Sequence, residues 1–175
     1  LYDASTPKFA AQAIRKVADL DWHPVHILDI NASPVSATLK PAGLDISKGI
    51  ISTNYGKDPA DPQWKDDPGV KAYFAFMDKY YPEGDKLNTV NTYGYSTAEL
   101  LIQVLKQCGD DISSESIIKQ AANLRDVESD MLLPGIKINT SPTDYYPLEQ
   151  LQLTRFSGER YEPLGPVIDG GISKA

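Results

Sequence analysis

Residues 5–53, STPKFAAQAIRKVADLDWHPVHILDINASPVSATLKPAGLDISKGIIST, decide the fold. In Ser5-Thr6-Pro7 a hydroxyl N-cap candidate precedes a proline whose missing N–H costs nothing at the first helical position, so a helix is expected to start here. Phe9, Ala10, Ala13, Ile14, Val17 and Ala18 recur at helical spacing up to Leu20, ahead of Trp22-His23-Pro24, and predict a face packed on a sheet. Val25 to Ile30 is a short run bounded by Pro24 and Asn31, mostly apolar on both sides, which predicts a strand buried on both faces and paired in parallel. A second small helix from about Pro34 to Ala42 leads to Gly49-Ile50-Ile51-Ser52-Thr53, another short apolar strand after a Lys-Gly turn. Such alternation of helix and strand is the grammar of an α/β fold.

Beyond Tyr55 the composition changes. Asp58-Pro59, Asp61-Pro62 and Asp67-Pro68 mark a loop or crossover, and the last pair caps a helix with Val70, Tyr73, Phe74, Met77 and Tyr81 at the 3.6 period. A further helix is expected from about Thr92 to Cys108, with Gly109 at C′, and another after Ser113 or Ser114. After Leu133-Pro134 the pattern turns to strands: Gly135 to Asn139, Leu148 to Phe156 and Arg160 to Leu164, read as an antiparallel β meander. The break near Tyr55 is the best lobe boundary, with a second around Phe156 to Tyr161, so Asn54 and Phe156 are the hinge candidates. A chain that leaves one lobe and returns to it builds hinged lobes, and such a cleft usually holds a ligand.

The 175 residues carry 17 Lys and Arg against 24 Asp and Glu, a net charge of −7, which argues against nucleic acid because phosphate neutralisation needs a basic face. Cys108 is the single cysteine, so no disulfide forms within the chain, and with no His nearby it reads as a small apolar filler. No apolar run approaches the ~20 residues that span a bilayer. The start at Leu1, without Met, runs straight into what looks like a strand end, and is expected to mark a mature or cut chain whose signal peptide is removed. His23-Pro24-Val25-His26 does not aim two rings at one metal, and Asp58 to Asp67 lacks the ligand order of an EF-hand loop, so no metal is expected. Neither a nucleophile elbow, a Ser-x-x-Lys pair, a Gly-x-Gly-x-x-Gly loop nor a Walker sequence occurs; no cofactor and no catalytic residue are expected, and an enzyme is the weaker class.

The polar and aromatic turns remain. Asn31, Ala32 and Ser33 follow the carboxyl end of the Val25 to Ile30 strand, where open α/β sheets bind small ligands. Tyr55 follows the next strand, and Tyr93 and Tyr95 flank Gly94 at the expected start of a helix whose free N–H groups favour an anion. These six are the candidate ligand-binding residues. A tyrosine there offers a flat apolar wall and one hydroxyl, although tyrosines at helix starts also simply pack beneath loops.

The order and spacing of Ser5-Thr6-Pro7-Lys8-Phe9-Ala10-Ala11-Gln12-Ala13-Ile14, Lys48-Gly49-Ile50-Ile51-Ser52, Asp58-Pro59-Ala60-Asp61-Pro62-Gln63-Trp64, Tyr93-Gly94-Tyr95 and Leu132-Leu133-Pro134-Gly135-Ile136-Lys137-Ile138-Asn139 resemble the periplasmic solute-binding proteins of branched-chain amino acid ABC transporters, along essentially the whole chain. Members of that family have two Rossmann-like lobes joined by three crossovers and are roughly twice as long, so the resemblance implies a carboxyl-terminal half of a type I periplasmic binding protein. It implies that residues 1–53 end the second lobe, 54–154 return into the first, and 155–175 form the final crossover and tail. The implied function is extracytoplasmic, in the periplasm: capture of a small carboxylate or amino acid between the lobes and delivery to the membrane permease of an ABC importer. The alternatives are a ligand-sensing domain of a regulator and a two-lobed hydrolase or transferase. The implied partners are that permease, the missing amino-terminal half, and a branched-chain amino acid or an aromatic or aliphatic carboxylate. Where amino acid binders carry an acid for the ligand ammonium, this chain has Asn31-Ala32-Ser33, which leans toward a ligand without an α-ammonium.

Overall fold

The computed structural model describes residues 1–171; residues 172–175 of the expected tail lie outside the described residues. The chain divides into two compact units, unit 1 from Leu1–Asn54 with Leu151–Ile168, and unit 2 from Tyr55–Gln150 with Asp169–Ala175.

Unit 1 holds a mixed sheet in the order β1 (Tyr2–Asp3), β2 (Ile27–Leu28), β3 (Ile51–Asn54), β4 (Gln150–Phe156), β5 (Tyr161–Asp169). The first three strands are parallel, with Asp3 opposite Leu28 and Ile27 opposite Ile51. β4 then pairs antiparallel with β3, from Ile51 opposite Arg155 to Asn54 opposite Gln152. Helix α1 (Pro7–Asp19) begins as expected with Pro7 in its first turn, but Thr6 makes no side-chain cap, and the Ser5 hydroxyl donates to Asp3 Oδ1. Its buried residues are Ala10, Ala11 and Ile14, which pack with Leu28, Leu39, Ile50 and Phe156; Phe9, expected inside, faces out. At about 25 cal/mol per Å² of apolar surface removed from water, this cluster is the main source of unit 1 stability.

Three expectations for unit 1 change. The strand predicted over Val25 to Ile30 shrinks to β2, because the Asp29 carboxylate caps a short turn by accepting from the Asn31 amide. It is buried on one face only: Leu28 is 1% exposed, while Val25 is 69% and Ile27 37% exposed. The helix predicted from Pro34 to Ala42 is a wide π-helical stretch, Val35–Leu39, running into the single turn α2 (Lys40–Ala42), since Pro41 interrupts regular helical bonding.

Unit 2 contains α3 (Pro68–Tyr80), α4 (Thr89–Cys108) and α5 (Ser114–Ala121). All three Asp-Pro pairs supply side-chain acceptors for turn amides: Asp58 for Ala60, Asp61 for Gln63, and Asp67 for Val70 at the α3 N-cap. Ser113 caps α5 by accepting from the Ser116 amide, and Gly109 closes α4 at a φ of 60°. Val70, Tyr73, Met77 and Met131 form a second core against Trp64, Phe74 and Tyr95. Gly135 to Asn139, expected as the first strand of the meander, is instead a turn with one isolated bridge, Val127 to Ile138. Its backbone is held by nonregular bonds: Ile136 N donates to Leu133 O, and Asn139 N to Pro147 O. β4 and β5, joined through the Ser157–Arg160 turn, are the strands that do form there.

Candidate functional site

In unit 1 the parallel pairing of β1 and β2 brings two strand ends together, because Asp29 N donates to Asp3 O at 2.9 Å. Of the predicted loop, Asn31 is exposed and its side-chain amide donates to Asp29 Oδ1 at 3.0 Å. Ala32 is fully buried in the core, and the Ser33 hydroxyl is spent on Ile30 O at 2.8 Å. Of the three, Asn31 is the exposed one.

Asp3, one strand over, was not among the candidates. Its Oδ1 accepts from the Ser5 amide at 3.1 Å and the Ser5 hydroxyl at 2.5 Å, while Oδ2 is buried without a hydrogen-bond partner. A buried carboxylate oxygen left unpaired is costly. The signal was available in the sequence: Tyr2-Asp3 reads as a strand end, and the carboxyl-end rule applies there as it does at Asn31.

In unit 2 the chain enters at Tyr55, whose carbonyl accepts from Leu133 N at 2.9 Å. Burial first, and then the charge of the Tyr93 phenol, raises the Tyr55 phenol above its ordinary pKa. Tyr93 itself is 62% exposed. Tyr95 points elsewhere. Its ring packs edge-on against Tyr73 at 5.4 Å and Phe76 at 5.3 Å, its hydroxyl donates to Asp130 Oδ2 at 3.3 Å, and burial, then Asp130 and Glu99, push its pKa up to about 12. The helix carrying them starts at Thr89, not Thr92, because the Asn88 side chain accepts from Val90 N; Tyr93 and Tyr95 thus lie beyond the first-turn N–H groups that favour anions. Of the hinge candidates, Asn54 ends β3 at the passage between units, and Phe156 is fully buried in the unit 1 core, five residues past the return at Leu151.

A polar cluster sits beside Tyr95. Lys57 Nζ donates to both Asp67 oxygens, at 2.8 and 2.9 Å, and to Asp130 O at 2.9 Å. Glu99 Oε2 accepts from the Ser129 hydroxyl at 2.7 Å and from Asp130 N at 3.2 Å, and burial raises its pKa. Two cavities of about 170 and 290 Å³ open here, sharing Glu99, Glu128 and Ser129 on their walls. Glu99, Glu128, Asp67 and Asp130 on these walls repel an anion and the Lys57 ammonium is already paired, so this cluster suits a structural tie better than a carboxylate site.

The sequence family described as periplasmic binding protein matches residues 1–159. No curated protein matches the chain. Solved structures share the fold. A branched-chain amino acid ABC transporter protein from Thermus thermophilus with bound valine superposes with a TM-score of 0.77 at 16% identity, over 95% of this chain and 45% of that one. A possible leucine/isoleucine/valine-binding protein from Rhodopirellula baltica gives 0.73 at 20% identity, over 94% and 42%. The leucine-binding protein LivK from Thermotoga maritima gives 0.66 at 15%, over 96% and 44%. The chain spans less than half the length of these structures.

Proposed function

Because the chain belongs to the periplasmic binding protein family, we propose that it is part of a non-catalytic receptor that captures a small carboxylate or amino acid and delivers it to the permease of an ABC importer outside the cytoplasm. The observation that carries the reading is the pair of adjacent strand ends in unit 1, where Asp3 keeps a buried oxygen without a partner and Asn31 stands exposed in the turn that follows β2. Polar groups left over at the carboxyl ends of parallel strands are what a ligand satisfies in open α/β sheets. Tyr55 and Tyr93 are the proposed ligand contacts of unit 2, and Asn54 the proposed hinge. Asp3 also supplies an acid near a loop that has none at residues 31–33, so an amino acid is supported alongside a carboxylate without an ammonium.

In this reading residues 1–53 belong to the second lobe, residues 54–154 to the first, and 155–175 to the return. An amino-terminal half of the same protein completes both lobes, supported by the length of the matched structures and by the exposed apolar residues Val25 and Ile27 in unit 1 and Leu101 and Ile102 in unit 2. The test is to incubate the full-length protein with a metabolite mixture, recover what it retains and compare masses. A carboxylate or amino acid recovered chemically unchanged supports the receptor; a converted product contradicts it.

A further inference from the structure

We propose that Lys57 is a positioning residue whose paired ammonium fixes the entry of the chain into unit 2, and with it the place of Tyr55 relative to α3 and α4; the proposal rests on Tyr55 being a ligand contact. Between Asn54 and Tyr55 the chain passes from one unit to the other, and the next three residues run beside 131–133. Leu133 N donates to Tyr55 O, Lys57 N donates to Met131 O at 2.8 Å, and Gly56 bridges Leu132. Two such bonds alone make a ribbon too short to hold its register.

The Lys57 side chain supplies what the ribbon lacks. It is 10% exposed, and its three donors are used up on Asp67 Oδ1, Asp67 Oδ2 and Asp130 O. Asp67 is at the same time the N-cap of α3, so the ammonium joins the entering chain to a helix end and to the 129–131 loop. That loop is in turn tied to α4, since Glu99 accepts from Ser129 and Asp130 and the Tyr95 hydroxyl donates to Asp130. Tyr93 rides on α4, so the path from Lys57 through Asp130 and Glu99 gives Tyr55 and Tyr93 a common frame. A buried ion pair adds little net stability over apolar groups of the same volume; its best-attested use is to fix register.

The experiment places 3-fluorotyrosine at position 55 of the full-length protein and reads its fluorine resonance. Lys57→Met combined with Asp67→Asn removes both charges without stranding either, and Asn keeps the helix cap. The resonance should move to the position of free fluorotyrosine while unfolding stays cooperative, and Lys57→Arg, which keeps the charge, should leave it near the parent value. Affinity for L-leucine or benzoate, whichever the parent binds, should fall about tenfold in the double variant as preorganisation is lost. An unchanged resonance overturns the proposal. If the double variant does not fold, Asp67→Asn alone reads the same signal: a partial shift supports the anchor, and none overturns it. A parent that binds neither probe overturns the ligand reading, while the resonance still decides the anchor.

Discussion

His26 sits in the unit 1 interior with Nε2 unpartnered, and burial lowers its pKa against a partial offset from Asp3. The folded state therefore holds fewer protons than the unfolded state once pH drops below the ordinary histidine value of 6.5. Stability from this group is fully present above that value and is lost as pH falls through the lower folded pKa. Chemical denaturation between about pH 7.5 and 5.5 should show the parent weakening and His26→Gln staying flatter; parallel curves would remove His26 as the cause. The tyrosines divide in the same residue-by-residue way. Tyr95→Ala should cost about 3 kcal/mol of stability, measured by urea unfolding, because its ring is wedged between Tyr73 and Phe76. Tyr93→Ala should leave stability nearly unchanged, its ring being mostly exposed. Residue type and position in the sequence nominated both tyrosines equally. Only the helix start at Thr89 and the side of α4 on which each ring falls separate them, and neither is visible without knowing that Asn88 is the cap. Ser33 shows the same limit: its hydroxyl looked available and is consumed by a carbonyl three residues back.

At the scale of elements, local chemistry was the legible part. Pro7 and Asp67-Pro68 start helices where expected, and Gly109 ends one. The strands were less legible because pairing partners far along the chain decide them: β4 finds β3 across about a hundred residues, and Thr154 Oγ1 donates to Ser52 O at 3.2 Å. The 135–139 run, with equally apolar residues, finds a single bridge and stays irregular. Gly69 tests how closely the elements of unit 2 meet. Glycine to alanine in a helix usually adds about 0.5–1 kcal/mol of stability. At Gly69, however, a Cβ would lie 2.3 Å from Asp130 O, a backbone atom that cannot swing away. Gly69→Ala should therefore destabilise by about 1–3 kcal/mol in thermal or urea unfolding. A stabilised variant would show that the α3 start and the 129–131 loop are not in contact.

For the whole molecule, each unit exposes apolar residues that its own periodicity marks as interior. Unit 1 leaves Tyr2 and Ile27 exposed on neighbouring strands and Val25 exposed ahead of β2, and α4 of unit 2 leaves Leu101, Ile102 and Leu105. These α4 residues share one helix, and the surface that covers them lies outside these 175 residues in the proposed reading. The 175-residue chain alone is thus expected to self-associate in size-exclusion chromatography and to bind a hydrophobic dye, and the full-length protein to run as a discrete species without dye binding. A compact, cooperative 19.2 kDa monomer would contradict this. The central claim, that Tyr93 and Asp3 serve a small carboxylate or amino acid, is tested most directly by isothermal titration of the full-length protein with L-leucine, L-valine and benzoate. The account predicts that one of these binds with one site per chain and that Asp3→Asn and Tyr93→Ala each weaken it by about 1–3 kcal/mol, one to two decades in Kd, while Tyr80→Ala does not. Parent affinity retained in both Asp3→Asn and Tyr93→Ala would contradict it.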